Sequence, residues 1–210
     1  MTSEKITIGS DNTLPAKLAN EAEKFTKEAG ITGKDALHIR LLTEELDGML
    51  SVMVGDFSGR FWIENTDKEC RINIDAIADM DPGKERELLS VSKSGKNAAR
   101  RGVMSRLGDF FASCLYDYNE LAKYGAGADL SGYGYMYSAG ITSSTMMSPG
   151  AFEWSLAQYS KSIEDEATGE NKASEIWDEL EKSIVANISD DVIVGVDEER
   201  VTMTIVKKLA

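Results

Sequence analysis

Hydrophobic positions recur at helical spacing in two stretches near the start of the chain. In residues 14–29 an apolar side chain returns every three or four positions, and Gly30 follows as a typical helix stop. The same spacing runs through residues 37–53. These stretches predict two amphipathic helices, and the short β-type stretch at residues 5–8 predicts a strand before them.

Alternation with a period of two appears in two other places. Residues 61–64 and 70–76 flank one polar turn, and residues 192–196 and 201–205 flank another. Each pair predicts a hairpin. With the N-terminal strand, the hairpins predict an α+β fold. We expect a two-layer sandwich, in which a mostly antiparallel or mixed sheet is covered on one face by amphipathic helices.

The middle of the chain is less regular. Apolar spacing predicts helices at residues 97–123, 152–163 and 176–184, and the acidic residues 164–172 read as an exposed linker. Residues 125–150 are rich in Gly, Ser, Thr, Tyr and Met, and only Asp129 carries a charge. A loop of this length in a compact domain is usually functional or mobile.

Composition narrows the classes of function. The chain has 210 residues, 42% of them hydrophobic, and a formal net charge of −13. The negative charge disfavours nucleic-acid binding, which depends on Lys and Arg, and no apolar run predicts a membrane span. Residues 1–9 show no basic region followed by an apolar run, so we expect no secretory signal, and Cys70 and Cys114 are the only cysteines. We therefore expect a cytoplasmic protein in a reducing compartment.

One local basic run departs from this acidic balance. Residues 88–108 contain five basic side chains and no acidic one. Such a run is most often a solvated helix face. The alternative is an anion site that faces a nucleotide phosphate or an acidic partner.

Metal, triad and P-loop chemistry lack their usual residues. A zinc site needs three or four ligands at close spacing, but the chain has one histidine, His38, and two distant cysteines. A serine triad would also need His38, and no Gly-x-Ser-x-Gly motif supplies a nucleophile. The stretch at residues 94–97 resembles a phosphate loop but has Asn97 where the motif needs Ser or Thr.

A pair of adjacent carboxylates lies in the middle of the second predicted helix. At 3.6 residues per turn, Glu44 shares a side with Leu37, Leu41 and Gly48. A carboxylate on a partly apolar face is costly unless it is paired, hydrated or used in a site. Two interpretations follow: Glu44 reaches water at the edge of the stripe, or it serves a binding site.

The order of elements, together with residues 35–46, resembles the opening of the histidine-kinase-like ATPase (GHKL) superfamily. The layout is most similar to that of bacterial anti-sigma-factor serine kinases. Glu44 matches the Glu of that family's second helix. Four positions later the family has an Asn that helps to hold Mg²⁺ against the ATP phosphates, and here that position is Gly48. Reading the frame from Glu45 instead places Met49 there.

Two later motifs extend the resemblance. The first hairpin is followed by Asp81 and Gly83, which match the Asp and the first Gly of the family's Asp-x-Gly-x-Gly, although Glu85 replaces the second Gly. Gly132 and Gly134 lie in the glycine-rich segment, where the family has a lid over ATP. The resemblance implies Glu44 as the catalytic residue. It implies a nucleotide-binding set of Glu44, Asp81, Gly83, Gly132 and Gly134.

The resemblance implies an adenine-nucleotide-binding regulatory protein, similar to an anti-sigma factor, with ATP or ADP and Mg²⁺ as ligands and no assigned metal-binding residue. Residues 1–210 would form one such domain, with an atypical insertion or lid at residues 84–190. The alternative is a catalytically inactive interaction module that keeps the fold and binds a protein partner or a second copy. A third alternative is another class of enzyme that uses Tyr133, Tyr135 and Tyr137 to stack a ligand.

Overall fold

The computed structural model describes residues 1–10, 14–53, 56–66, 68–78, 141–142, 151–165, 184–197 and 199–210. Within these residues the chain is α+β, as predicted. The strands are β1 (Ile6–Gly9), β2 (Phe57–Asn65), β3 (Glu69–Ala78), β4 (Ile141–Thr142), β5 (Ala151–Ser155), β6 (Asp191–Asp197) and β7 (Arg200–Lys208). The helices are α1 (Leu14–Glu28), α2 (Gly33–Met53), α3 (Leu156–Asp165) and α4 (Ile184–Ile188).

The described strands form a single sheet in the order β1-β2-β3-β7-β6-β5-β4. Every pairing between neighbouring strands in it is antiparallel. The two predicted hairpins, β2–β3 and β6–β7, meet at the centre, where Ile74 lies opposite both Phe61 and Met203. The predicted antiparallel sheet is therefore confirmed, and the chain adds β4 and β5 at one edge.

The core lies between one face of this sheet and the helices. Side chains alternate across a strand, so Phe61 and Ile63 of β2 are fully buried while Arg60 and Ser58 are exposed. Buried residues of α1 and α2 join the same cluster as the inward side chains of the sheet. Helix α2 packs against α1, α4 and β3. The described helices thus cover one face, as a two-layer sandwich requires.

The turn between α1 and α2 follows the predicted stop signal. Gly30 has φ of 68°, a left-handed conformation that favours glycine. The Ile31 amide donates to the Thr26 carbonyl at 2.9 Å, and the Gly30 amide donates to Lys27 at 3.3 Å. These are the two hydrogen bonds of a Schellman cap, which satisfies the last carbonyls of α1.

The helix predicted at residues 152–163 is wrong in its first part. Residues 151–155 form β5, where Trp154 is buried and pairs with Val194 of β6. The helix begins only at Leu156, because Ser155 caps it: the Ser155 hydroxyl accepts a hydrogen bond from the Gln158 amide at 3.3 Å. Apolar residues four apart fit both a helix and a strand end, and pairing with β6 decided the outcome.

Three other sequence predictions are changed. Strand β2 begins at Phe57 rather than residue 61. The predicted linker at residues 164–172 is helical at its first two positions, since α3 continues to Asp165. Residues 125–150, predicted as a loop, include strand β4. The predicted helix at residues 97–123 lies outside the described residues. Among the described helices, none combines the length and apolarity needed to cross a membrane.

Candidate functional site

Helix α2 is fixed in place by a buried stripe. Ile39, Leu42 and Leu46 are inaccessible to solvent within the core. Thr43 is also buried, and its hydroxyl donates a hydrogen bond to the Ile39 carbonyl at 2.8 Å, so it leaves no unpaired donor in the core. The side chains on either side of this stripe therefore have defined positions relative to the sheet.

Glu44 lies on the solvent side of α2. Its carboxylate accepts a hydrogen bond from Arg40 Nε at 3.0 Å, and the Glu44 side chain is 41% exposed. Leu37, on the same side of the helix, is 54% exposed. Of the two interpretations of Glu44, the hydrated one fits this geometry. An exposed ion pair of this kind contributes little to stability, because water screens it.

Glu45 has the opposite environment. Its side chain is half-buried, and burial raises the pKa of the carboxyl group, with a smaller contribution from the neighbouring charge of Glu44. A carboxylate whose pKa is raised by desolvation is a candidate functional group, because its charged form costs stability where it lies. The structure therefore points to Glu45 rather than Glu44 as the chemically unusual residue of this helix.

The sequence contains a signal for Glu45 that pattern analysis passed over. Glu45 falls four residues after Leu41 and four before Met49, which places it beside the buried stripe rather than opposite it. Met49 is fully buried. In the frame that begins at Glu45, the residue four positions later is thus an apolar side chain in the core.

The other four predicted nucleotide-binding residues, Asp81, Gly83, Gly132 and Gly134, lie outside the described residues. The same holds for the basic run at residues 88–108 and for Tyr133, Tyr135 and Tyr137. Of the predicted site, only Glu44 has a described position. The expectation that these residues line one pocket remains a prediction.

The described residues also include Cys70 and His38, whose side-chain types are common in active sites. Cys70 is buried, and burial raises the pKa of its thiol to about 12, so it stays protonated and is a poor nucleophile. The pKa of His38 is lowered, first by burial and then by Lys207 and Lys34. These effects disfavour the charged form of the imidazole. Within the described ranges, no group of three or more His, Cys, Asp or Glu is placed to hold a metal ion.

Comparison of the chain with protein-family models, with curated proteins and with solved structures finds no match. The assignment of a function therefore depends on the residues themselves and their geometry. Of the predicted site residues only Glu44 is described, and it lies on α2 next to half-buried Glu45.

Proposed function

We propose that this chain is an adenine-nucleotide-binding regulatory protein of the histidine-kinase-like ATPase type, and that Glu45 is its ligand-facing carboxylate. The observation that carries the proposal is the half-buried Glu45 in the middle of α2, with its pKa raised by burial. Such a carboxyl group is poised to take up or share a proton near a ligand. It stands in the helix that carries the family's Glu.

The order of elements supports the same proposal. A strand, two helices and a hairpin follow one another as β1, α1, α2, β2 and β3, which is the layout that the resemblance implies. Helix α2 packs on the sheet and is flanked by α1 and α4. A rigid helix of this kind holds a binding side chain more firmly than a loop does.

The proposal concerns binding, not phosphoryl transfer. In the frame of Glu45, buried Met49 occupies the position of the family's Mg²⁺-binding Asn, and a thioether in the core does not bind Mg²⁺, which prefers oxygen ligands. The adenine contact would come from Asp81. ATP and ADP are therefore expected to bind with little dependence on Mg²⁺. The protein would then regulate through the binding of nucleotide and not through its hydrolysis.

Thermal unfolding with ATP or ADP, each with and without Mg²⁺, tests the proposal. A nucleotide at 100 times its dissociation constant stabilises the native state by about 2.7 kcal/mol, which corresponds to a rise in Tm of roughly 2–4 °C for a domain of this size. We expect Glu45→Gln and Asp81→Asn to abolish the rise. The matched control is Glu44→Gln, which removes the adjacent, exposed carboxylate and should leave the rise unchanged.

Two results would contradict the proposal. One is the absence of any nucleotide-dependent rise in Tm in the parent chain. The other is an equal loss in Glu44→Gln and Glu45→Gln, because a response that does not distinguish the exposed carboxylate from the half-buried one reflects overall charge rather than a site.

A second function, an interaction module without a nucleotide, is favoured by a different observation. The solvent side of α2 carries Leu37, which is 54% exposed, beside the Arg40–Glu44 pair. Protein interfaces combine an apolar centre with a polar rim, and Leu37 beside this ion pair offers both on one side of the helix. The oligomeric state, measured by light scattering for the parent and for Leu37→Ser, tests this function. A dimer that Leu37→Ser dissociates, with no nucleotide effect on Tm, would favour it over the first.

A further inference from the structure

The face of the sheet opposite the helices carries an open depression. It lies over β1, β2, β3 and the start of β7, and has a volume of about 480 Å³. Its lining is mostly polar and contains one exposed apolar residue. The lining residues are Thr7, Ser58, Gly59, Arg60, Asp75, Ile77 and Arg200.

Asp75 holds the two arginines of this depression together. Arg200 donates from Nε to Asp75 Oδ1 at 2.9 Å and from Nη2 to Oδ2 at 3.1 Å. Arg60 donates from Nη2 to Oδ2 at 3.1 Å. The hydrogen bond from Arg200 is the largest cause of a lowered pKa at Asp75, so the carboxylate is charged at neutral pH. The three residues link β2, β3 and β7 across the outer face.

The charges of this cluster differ in exposure. The Asp75 side chain is 12% exposed, whereas those of Arg60 and Arg200 are 58% and 54% exposed. Solvent therefore meets two guanidinium groups that project over one covered carboxylate. Asp197, which also acts on Arg200, offsets part of this charge from the end of the neighbouring strand β6. Asp75 and Asp197 thus balance the two arginines in number, but the guanidinium groups of Arg60 and Arg200 are far more exposed than the Asp75 carboxylate.

We propose that this depression is a binding subsite for the anionic group of a small ligand, either a carboxylate or a phosphate. Each guanidinium has five N–H donors, and the contacts to Asp75 use two of Arg200 and one of Arg60. The remaining donors are held in place before any ligand arrives, which reduces the entropy lost on binding. Arginine is suited to both oxyanions because its planar fork matches their geometry.

The other lining residues complete the chemistry of the subsite. Ser58 and Thr7 supply hydroxyl groups, and Ile77, half exposed, offers an apolar surface for the carbon part of the ligand. The subsite lies on the outer face of the sheet, whereas α2 and Glu45 lie against the inner face. It is therefore on the opposite face of the sheet from Glu45.

Titration of the ¹⁵N-labelled full chain with inorganic phosphate, and separately with succinate, tests the subsite. Chloride replaces each anion at equal ionic strength in the reference samples. We expect saturable changes in the amide shifts of Gly59 and Ile77, with a dissociation constant on the order of 1 mM for so small a probe. Tighter binding of phosphate would identify a phosphate ester as the natural ligand, and tighter binding of succinate would identify a carboxylate.

Two variants and one control locate the site. Arg60→Gln and Arg200→Gln each remove a cation. Each should weaken binding of the anion by about tenfold, since a hydrogen bond to a charged group is lost. Arg71→Gln is the matched control, because Arg71 is on the same face of β3 and pairs with Glu69 at 2.7 Å, away from the depression. It should leave affinity unchanged.

Shifts that do not saturate in the parent chain, or that chloride reproduces at equal ionic strength, would overturn the proposal even if a variant failed to fold. Equal weakening by Arg71→Gln would do the same, since it would show a general charge effect. ATP also carries phosphates and could bind at this subsite. Thermal unfolding with nucleotide is therefore measured for Arg60→Gln as well. The rise in Tm should persist, which separates failure of this subsite from failure of the Glu45 site.

Discussion

The two faces of the sheet differ in the polarity and the burial of their side chains. On the inner face, Phe61 and Ile74 are buried within the hydrophobic core. On the outer face, one residue away along the same strands, Arg60 and Asp75 are held in a polar network open to solvent. The strands alternate between these environments at every step.

The difference separates stability from function. Burial of large apolar side chains supplies most of the favourable free energy of folding, whereas exposed ion pairs contribute little. The outer network is thus free to exchange its contacts with a ligand at small cost to the fold. Glu45 is the exception on the helix side, because it places a charge at the border of the core.

The largest expected effect tests the inner face. Phe61→Ala should lower the free energy of unfolding by about 3–5 kcal/mol, because it removes a fully buried aromatic side chain and leaves a cavity. Its matched control on the same strand is Ser58→Ala, an exposed position, which should change stability by less than about 0.5 kcal/mol. Urea unfolding measures both. Similar values for the two would mean that the faces do not differ as described.

The next effect concerns the close approach of strands β2 and β3 at Gly59. A Cβ at Gly59 would lie 2.6 Å from the Asp75 carbonyl oxygen and 2.8 Å from the Ala76 Cβ. Gly59→Ala should therefore force β2 and β3 apart and cost about 1–3 kcal/mol. At Gly9 the nearest atom is 3.3 Å away, so Gly9→Ala should cost less in the same urea assay. An equal cost would show that the close approach at Gly59 is not limiting.

A smaller effect comes from the outer network. Asp75→Asn should lower stability at pH 7 by about 0.5 kcal/mol, since the arginines it binds are largely exposed. The folded pKa of Asp75 is lowered. Its contribution is therefore complete above the unfolded value, about 3.9, and is lost as the pH falls through the lower folded value. The difference between parent and variant should narrow in acid. A difference that stays constant down to pH 2 would contradict the ionic origin.

The smallest effect has the opposite sign. Burial raises the folded pKa of Glu45, so its charged form costs stability at neutral pH, and the cost disappears as the pH falls through the raised folded value toward the unfolded value near 4.3. In the absence of ligand, Glu45→Gln should stabilise the chain at pH 7 by roughly a few tenths of a kcal/mol, and the gain should vanish near pH 4. Glu44→Gln should give no such gain in stability. An equal gain in Glu44→Gln would mean that burial does not distinguish the two carboxylates.

Sequence patterns predicted the parts of this fold that depend on residues close together in the chain. The alternation in residues 70–76 predicted β3, and Gly30 predicted the end of α1, because a period of two and a left-handed cap are properties of the chain itself. The helix assigned to residues 152–155 was wrong, because Phe152 and Leu156 fit both elements and only pairing with β6 distinguished them. The positions of Asp81, Gly83, Gly132 and Gly134 remain predictions.

The sequence alone determined the α+β class, the two hairpins, the two N-terminal helices and the presence of two adjacent carboxylates in the second. Tertiary structure decided which carboxylate is half-buried, since that depends on what packs against α2. It also decided that Arg200 meets Asp75, 125 positions earlier in the chain. No local pattern encodes such a contact, because the pairing of β3 with β7 brings the two residues together only when the whole sheet forms.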